Sequence, residues 1–313
     1  MKFQNKSDVE AIQNKSDDKI KPFRKSEYRR RQDFFQKIAF LLMKLSVVLT
    51  ILILVLIVGD IFIKGYTVVN TGFITGMPVN RMTEGGILPC IIGTVELIIL
   101  SLLFAVPLGI IAAIYLTEYA TDGKIKKIIE QAVNNLAGTP SVIFGLFGMA
   151  LFIKYLGLPM SLLTASLTMG LLIMPVIIRT AQEALLAVPR EYKEASQALG
   201  ATKWETIRRV VLPSAYSGIV TGIVISIGRA AGETAPILFT GAVYYYPKLP
   251  ESVFSPFMAL SYHLYVMATE SIDIELTRSI QYGTAFVLLA IVFTMNLTAF
   301  GIRRHYKRKY RLN

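Results

Sequence analysis

Long unbroken apolar runs divide this chain. Crossing about 30 Å of hydrocarbon takes roughly 20 apolar residues in a helix that rises 1.5 Å per residue. Six runs meet that length, at approximately Ile38 to Ile63, Ile87 to Leu116, Ala132 to Phe152, Met160 to Ile178, Ala215 to Thr240 and Tyr282 to Gly301. A further stretch, FMALSYHLYVMA (Phe257 to Ala268), is too short to span and is expected at the interface or re-entering. The pattern predicts an all-α polytopic membrane protein with six transmembrane helices.

Polar positions frame these runs. Residues 1–37 form a polar, low-complexity tail, expected to be disordered, in which QNKSD occurs twice, at Gln4 to Asp8 and Gln13 to Asp17. The apolar run that follows starts too far from the terminus, and is too long, for a signal peptide. Residues 38–63 read as a first helix, 85–301 as the main membrane domain and 302–313 as a basic tail.

The polar segment at 181–213 is heavily punctuated. Pro189 suits the first turn of a helix, which would run through REYKEASQAL and stop at Gly200, a residue able to take the left-handed conformation past a helix end. Thr202 to Glu205 (TKWE) has the capping-box pattern and opens a second helix, expected to end before Pro213. Helix, glycine turn and helix make a rigid exposed knob.

Composition sharpens the class. Of 313 residues, 53% are hydrophobic and only 17% charged, far from an ordinary soluble domain. One cysteine, Cys90, excludes an internal disulfide, and with two histidines leaves too few ligands for a zinc site. The net charge of +12 raises nucleic acid as a partner. Neither end has the layout of a nucleic-acid module, so anchoring at membrane lipid is the reading kept. With the N-terminus inside, 27 of the 33 Lys and Arg residues fall in inside segments, which places both termini in the cytoplasm. Five fall outside: Lys64, Arg81, Lys154, Lys248 and Arg278.

The residue left over is Arg229, inside the fifth run in SIGRAAGETAPILF, with Glu233 four positions on. On a helix the two share a face, and either charge alone is costly at membrane depth. Gly228 and Gly232 are expected to admit a close neighbouring helix, and Pro236 a kink beyond the pair. The pair either braces the bundle or lines an anion path, in which the guanidinium fork matches two oxygens of an oxyanion. On the second reading Glu233 holds Arg229 when no anion is bound and accepts a proton from an oxyanion that carries one. Among other candidates, His263 is expected at the interface rather than as a catalytic base, and Tyr244 to Tyr246 in an aromatic belt. The glycines of GLFG (Gly145 to Gly148) are expected to pack helices closely. Gly123-Lys124 has Glu118 where a Walker A loop needs glycine, so the chain does not bind ATP by that motif. No nucleophile, base and orienting group cluster, which argues against an enzyme.

Glu194, Ala195 and Ser196, then Gly200 after three residues, Val210 after nine more, and Leu212-Pro213 after one, resemble the EAA loop of ABC importer permeases, E-A-A-x3-G-x9-I-x-L-P. Ser196 replaces the second alanine and Val210 the isoleucine. The stretches Gly85 to Tyr119, GTPSVIFGLFG, the knob itself and GRAAGETAPILFT extend the resemblance to phosphate-specific importer permeases, of the PstA rather than the PstC type, over residues 85–301.

The resemblance implies the type I (MetI-like) importer permease fold in a bacterial or archaeal inner membrane, with alternating access driven by a separate ATPase. The knob would dock into a groove on that subunit. Implied partners are a second permease of PstC type, an ATPase dimer of PstB type that uses ATP and Mg, and an extracytoplasmic phosphate-binding protein of PstS type; this chain itself would bind no cofactor. Arg179 corresponds to another arginine of the resembling family and is a candidate to receive the anion on the inner side, or else it is a snorkelling anchor. Glu96 departs from the family's uncharged residue and is a candidate neutraliser of either arginine. Alternatives to the phosphate reading are a permease for another oxyanion (molybdate, sulfate or phosphonate) and, from another class, an ion-gradient-driven carrier or channel.

Overall fold

The computed structural model describes residues 27–270 and 274–309, so the QNKSD repeats lie outside the described residues. Two units divide after Gly59. In the first, residues 27–59 belong to one helix, α1 (Glu27–Tyr66), which runs on into the second. Its apolar side chains, Leu41, Leu45, Val48, Leu52 and Val55 among them, are exposed on every side. A helix apolar all round suits lipid and not water. It starts at Glu27 and not at Ile38, because the Arg, Gln and Lys residues before the apolar run are themselves good helix formers.

The second unit carries a short helix α2 (Thr71–Thr75) and a two-stranded ribbon of β1 (Pro78–Val79) and β2 (Glu84–Gly85). Then follow α3 (Leu88–Ile114), α4 (Lys124–Ala137), α5 (Ser141–Gly148) and α6 (Leu162–Leu186). The knob comprises α7 (Arg190–Ala198) and α8 (Lys203–Thr206) and leads into α9 (Leu212–Gly232). Last come α10 (Ala235–Leu238), α11 (Leu260–Thr269) and α12 (Ile274–Lys309). Single π-helical stretches extend α3 (Tyr115–Tyr119) and α5 (Met149–Tyr155) and join α8 to α9 (Ile207–Val211).

Five helical stretches among the described residues are long and apolar enough to cross a membrane, and a bent pair makes a possible sixth. That pair stands where one straight span, Ala132 to Phe152, is expected: α4 and α5 meet at 106°. The local chemistry explains the bend. Gly138 ends α4, the residue before Pro140 is driven from helical dihedrals, and α4 presents Lys124, Lys126, Lys127 and Glu130 where a straight span would need apolar residues.

α6 is the centre of the second unit, packed against both α3 and α9. Met169, Leu172, Ile173 and Ile177 of α6 are buried with Leu97 and Ile98 of α3 and Ile227 and Ala230 of α9. Small residues set the helix spacing. A Cβ on Gly222 would strike the Thr180 hydroxyl, so α9 approaches α6 as closely as a glycine permits.

The fifth expected span also departs from a straight helix. It stops at Gly232, since the ring of Pro236 would collide with the Gly232 carbonyl four residues back. At the other end of the same helix the outcome is reversed: α8 continues past Pro213 into α9. The π stretch Ile207–Val211 shifts the bonding to i→i+5 just before the proline, so its missing donor is accommodated. Lys203–Gly232 is thereby one 30-residue helical path.

Candidate functional site

The knob is built from local rules. α7 closes with the Gly200 N–H donating to the Gln197 carbonyl (2.9 Å) and that of Ala201 to Ser196 (3.3 Å). Gly200 takes φ +86°, which a side chain would oppose. Thr202 then caps α8: its hydroxyl accepts from the Glu205 N–H (3.3 Å), and Glu205 Oε2 accepts from the Thr202 N–H (2.9 Å). Across the turn the Ser196 and Thr206 hydroxyls bond at 3.0 Å. The hydroxyl that replaces alanine at Ser196 thus ties the two helices together.

The outer face of the knob is open. Glu194 and Ala195 are exposed, and Leu199 at the tip is 90% exposed. Tyr192, Ser196, Leu199, Glu205 and Arg209, with Val210, line a groove of about 640 Å³. Leu212 and Pro213 lie half-buried where the knob joins α9.

Roughly 40 Å along the same helical path, at 1.5 Å per residue, lies the charged pair. Arg229 is in the last turn of α9, where a cation is favoured by the helix carbonyls. Glu233 stands just past the helix end with extended dihedrals (φ −76°, ψ 135°), not on a continuous helical face. Its Oε1 is 3.5 Å from Arg229 Nε, and both side chains are only partly covered. That single contact leaves the two Nη groups of Arg229 without another partner among the described residues. The break is held by segments distant in the chain: the Ser261 hydroxyl of α11 donates to the Glu233 carbonyl at 3.0 Å, and the Leu260 N–H donates to Thr94 Oγ1 of α3 at 2.8 Å. The sequence carries no local signal for Ser261 or Thr94.

Several expectations change. Gly228 and Gly232 face open space, where a Cβ would meet nothing within 4 Å, so no helix among the described residues packs closely against them. Close packing is found at GLFG: a Cβ on Gly145 would lie 2.8 Å from Phe239 Cδ2 and 2.9 Å from the Ala235 carbonyl oxygen, and one on Gly148 would strike Thr168. This sets α5 against α10, beside the break. His263 is fully buried rather than interfacial, because α11 folds back against α12.

Arg179 is a brace between helices. Its Nη2 donates to the Glu130 carbonyl of α4 (2.9 Å) and to Asn134 Oδ1, and its Nη1 donates to Gln182 Oε1 (3.1 Å), with Nε buried and unpartnered. In this arrangement the guanidinium is already engaged by α4 and α6. Glu96 is half-buried on α3 and pairs with neither arginine among the described residues.

A long apolar helix with an exposed two-helix knob at one end and a broken, charged end at the other fits a multi-pass membrane permease. The sequence profile of the binding-protein-dependent transport system inner membrane component matches residues 105–312, and the chain belongs to that family. It is 36% identical, over 97% of each chain, to the phosphate transport system permease protein PstA 1 of Mycobacterium tuberculosis. Solved structures share the fold at lower identity. A bacterial ABC transporter that imports the acidic polysaccharide alginate aligns at TM-score 0.59 and 16% identity, over 88% of this chain and 99% of that one. The inward-facing MetNI methionine transporter aligns at 0.53 and 18%, over 69% and 95%. The chain therefore has the MetI-like ABC importer permease fold and is a non-catalytic, multi-pass membrane subunit.

Proposed function

We propose that this chain is the PstA-type permease of an ATP-driven importer of inorganic phosphate in a bacterial or archaeal inner membrane. It forms half of the translocation path with a homologous PstC-type permease. An ATPase dimer of PstB type docks at the knob, from Glu194, Ala195, Ser196 and Gly200 to Val210, Leu212 and Pro213. An extracytoplasmic binding protein of PstS type delivers the anion at the opposite end. ATP and Mg are used by the ATPase, and both termini and the knob face the cytoplasm, in keeping with the basic residues there.

The observation that carries this reading is the single helical path from Lys203 to Gly232, with the knob at its start and the free donors of Arg229 at its end. Closure of the ATPase on the knob would tilt that path. The planar guanidinium then offers its two Nη groups to phosphate oxygens, while Glu233 restrains it when the anion is gone. Acceptance by Glu233 of the proton on hydrogen phosphate is part of the same proposal. Arg179 acts here by holding α4 to α6 and not by receiving the anion. The relative of M. tuberculosis named for phosphate transport supports the substrate, and the groove at Leu199 supports the docking.

The test is reconstitution in liposomes with the second permease, the ATPase and the binding protein. ATP-dependent uptake of phosphate, with neither sulfate nor molybdate carried, is the expected result. Uptake of another oxyanion alone would reject the substrate, and uptake without any bound ATPase would reject the class.

A further inference from the structure

Two cations on the knob reach back to consecutive residues of another helix. Lys193 Nζ of α7 lies 2.6 Å from Glu118 Oε1, in the π stretch that ends α3. Glu118 is 9% exposed and Lys193 23% exposed. Lys203 Nζ, at the start of α8, sits 4.8 Å from the centre of the Tyr119 ring. Each helix of the knob therefore grips the end of α3 with one positive charge. Between these grips Ala113 and Ile114 of α3 are buried with Val188, Ile207, Val211 and Ala215.

We propose that the Lys193–Glu118 ion pair, seconded by Lys203 on Tyr119, is a positioning clamp that makes α3 move with the knob. The inference rests on the function proposed above, in which an ATPase drives the knob. The reasoning is mechanical. The knob is continuous with α9 through covalent bonds and helical hydrogen bonds, so α9 follows it without further help. α3 has no such continuity: 75 residues separate Glu118 from Lys193, and the inner end of α3 can follow only through contacts. The apolar packing of Ala113 and Ile114 holds α3 beside the knob, and the short ion pair adds a contact that resists separation, because parting it would leave the nearly buried Glu118 carboxylate uncompensated.

α3 and α9 are the helices with the most extensive packing on α6 among the described residues, and α3 bears Thr94, which bonds the α11 backbone next to the break at Glu233. With the clamp intact, a push on the knob moves both flanks of α6 and reaches the charged break from two sides. With it broken, α9 moves alone, and hydrolysis proceeds without a full exchange of access.

The experiment compares wild type, Glu118→Gln, Glu118→Lys, Lys193→Glu and the double exchange Glu118→Lys/Lys193→Glu in the complete reconstituted complex. Copurified ATPase, ATP hydrolysis and phosphate uptake are measured together. The clamp predicts that the single variants retain the ATPase and hydrolyse ATP, while anion carried per ATP falls about fivefold or more, at the lower end of usual couplings between sites. The double exchange should restore the ratio to within about twofold, since it rebuilds the pair with its sign reversed.

Uptake and hydrolysis falling in proportion with the ATPase still bound, or an unchanged ratio in Glu118→Gln, would overturn the clamp. If the charge-reversed singles do not fold, Glu118→Gln, which keeps the shape, and the double exchange decide between the outcomes. A wild-type complex that binds no ATPase is a different failure: it removes the proposed function itself.

Discussion

Arg229 keeps its two Nη groups without a partner among the described residues, in a helix apolar enough to cross a membrane. Arg229→Lys keeps the charge and removes the planar fork, so it separates charge from geometry. Losing a charge-assisted bond of about 1.5–3 kcal/mol predicts a phosphate uptake roughly 10- to 100-fold lower. Hydrolysis of ATP by the assembled complex should continue, and radiolabelled uptake set against hydrolysis reads the difference. Glu233→Gln tests the carboxylate in the same assay. Unchanged transport and unchanged discrimination of phosphate from sulfate in that variant would remove the proton-accepting role. Arg179 calls for the opposite readout. Its bonds to Glu130 and Asn134 join α4 to α6, so Arg179→Ala should cost stability, about 1.5–3 kcal/mol for bonds to a charged group, seen as a lower melting temperature in detergent. A fall in uptake with no thermal shift would favour an anion-receiving role instead.

At the scale of elements, the knob depends on one backbone conformation and the α6–α9 contact on one missing side chain. Gly200 lies at φ +86° with open space around it, so a side chain there is opposed by the backbone alone. Gly200→Val should cost about 1–2 kcal/mol of local strain and loosen the turn that presents Leu199. The measurable result is less ATPase retained on copurification, with little change in the melting temperature of the membrane helices. Gly222→Leu should show the reverse pattern, with an overpacking cost of about 1–3 kcal/mol against Thr180 and a lower melting temperature. The knob was legible in the sequence because each of its signals, the glycine stop and the Thr202/Glu205 box, acts over a few residues. The passage of α8 through Pro213 was not. A proline normally ends a helix, and the π stretch that admits it here carries Ile207 and Val211, which are buried with Ala113 and Ile114 of α3.

For the whole molecule, orientation is the quantity that charge alone proposes and that chemistry can check directly. Cys90 is the only cysteine and is buried, so an introduced cysteine gives a clean signal. A membrane-impermeant maleimide should label Leu199→Cys only from the cytoplasmic face, and Tyr155→Cys, at the end of the fold opposite the knob, only from outside. Labelling in the reverse sense would invert the proposed topology.

The sequence by itself determined the membrane class, the approximate spans, the knob and the presence of Arg229 and Glu233 in an apolar setting. Those features are written in composition and in spacings of a few residues, which hydrocarbon and backbone geometry read locally. Only the tertiary structure decided that Ser261 holds the break beside the pair, that Arg179 braces α4, that His263 is buried and that Lys193 holds Glu118. Each of those depends on which distant segments pack together, and a clash or an ion pair between residues far apart in the chain leaves no local pattern.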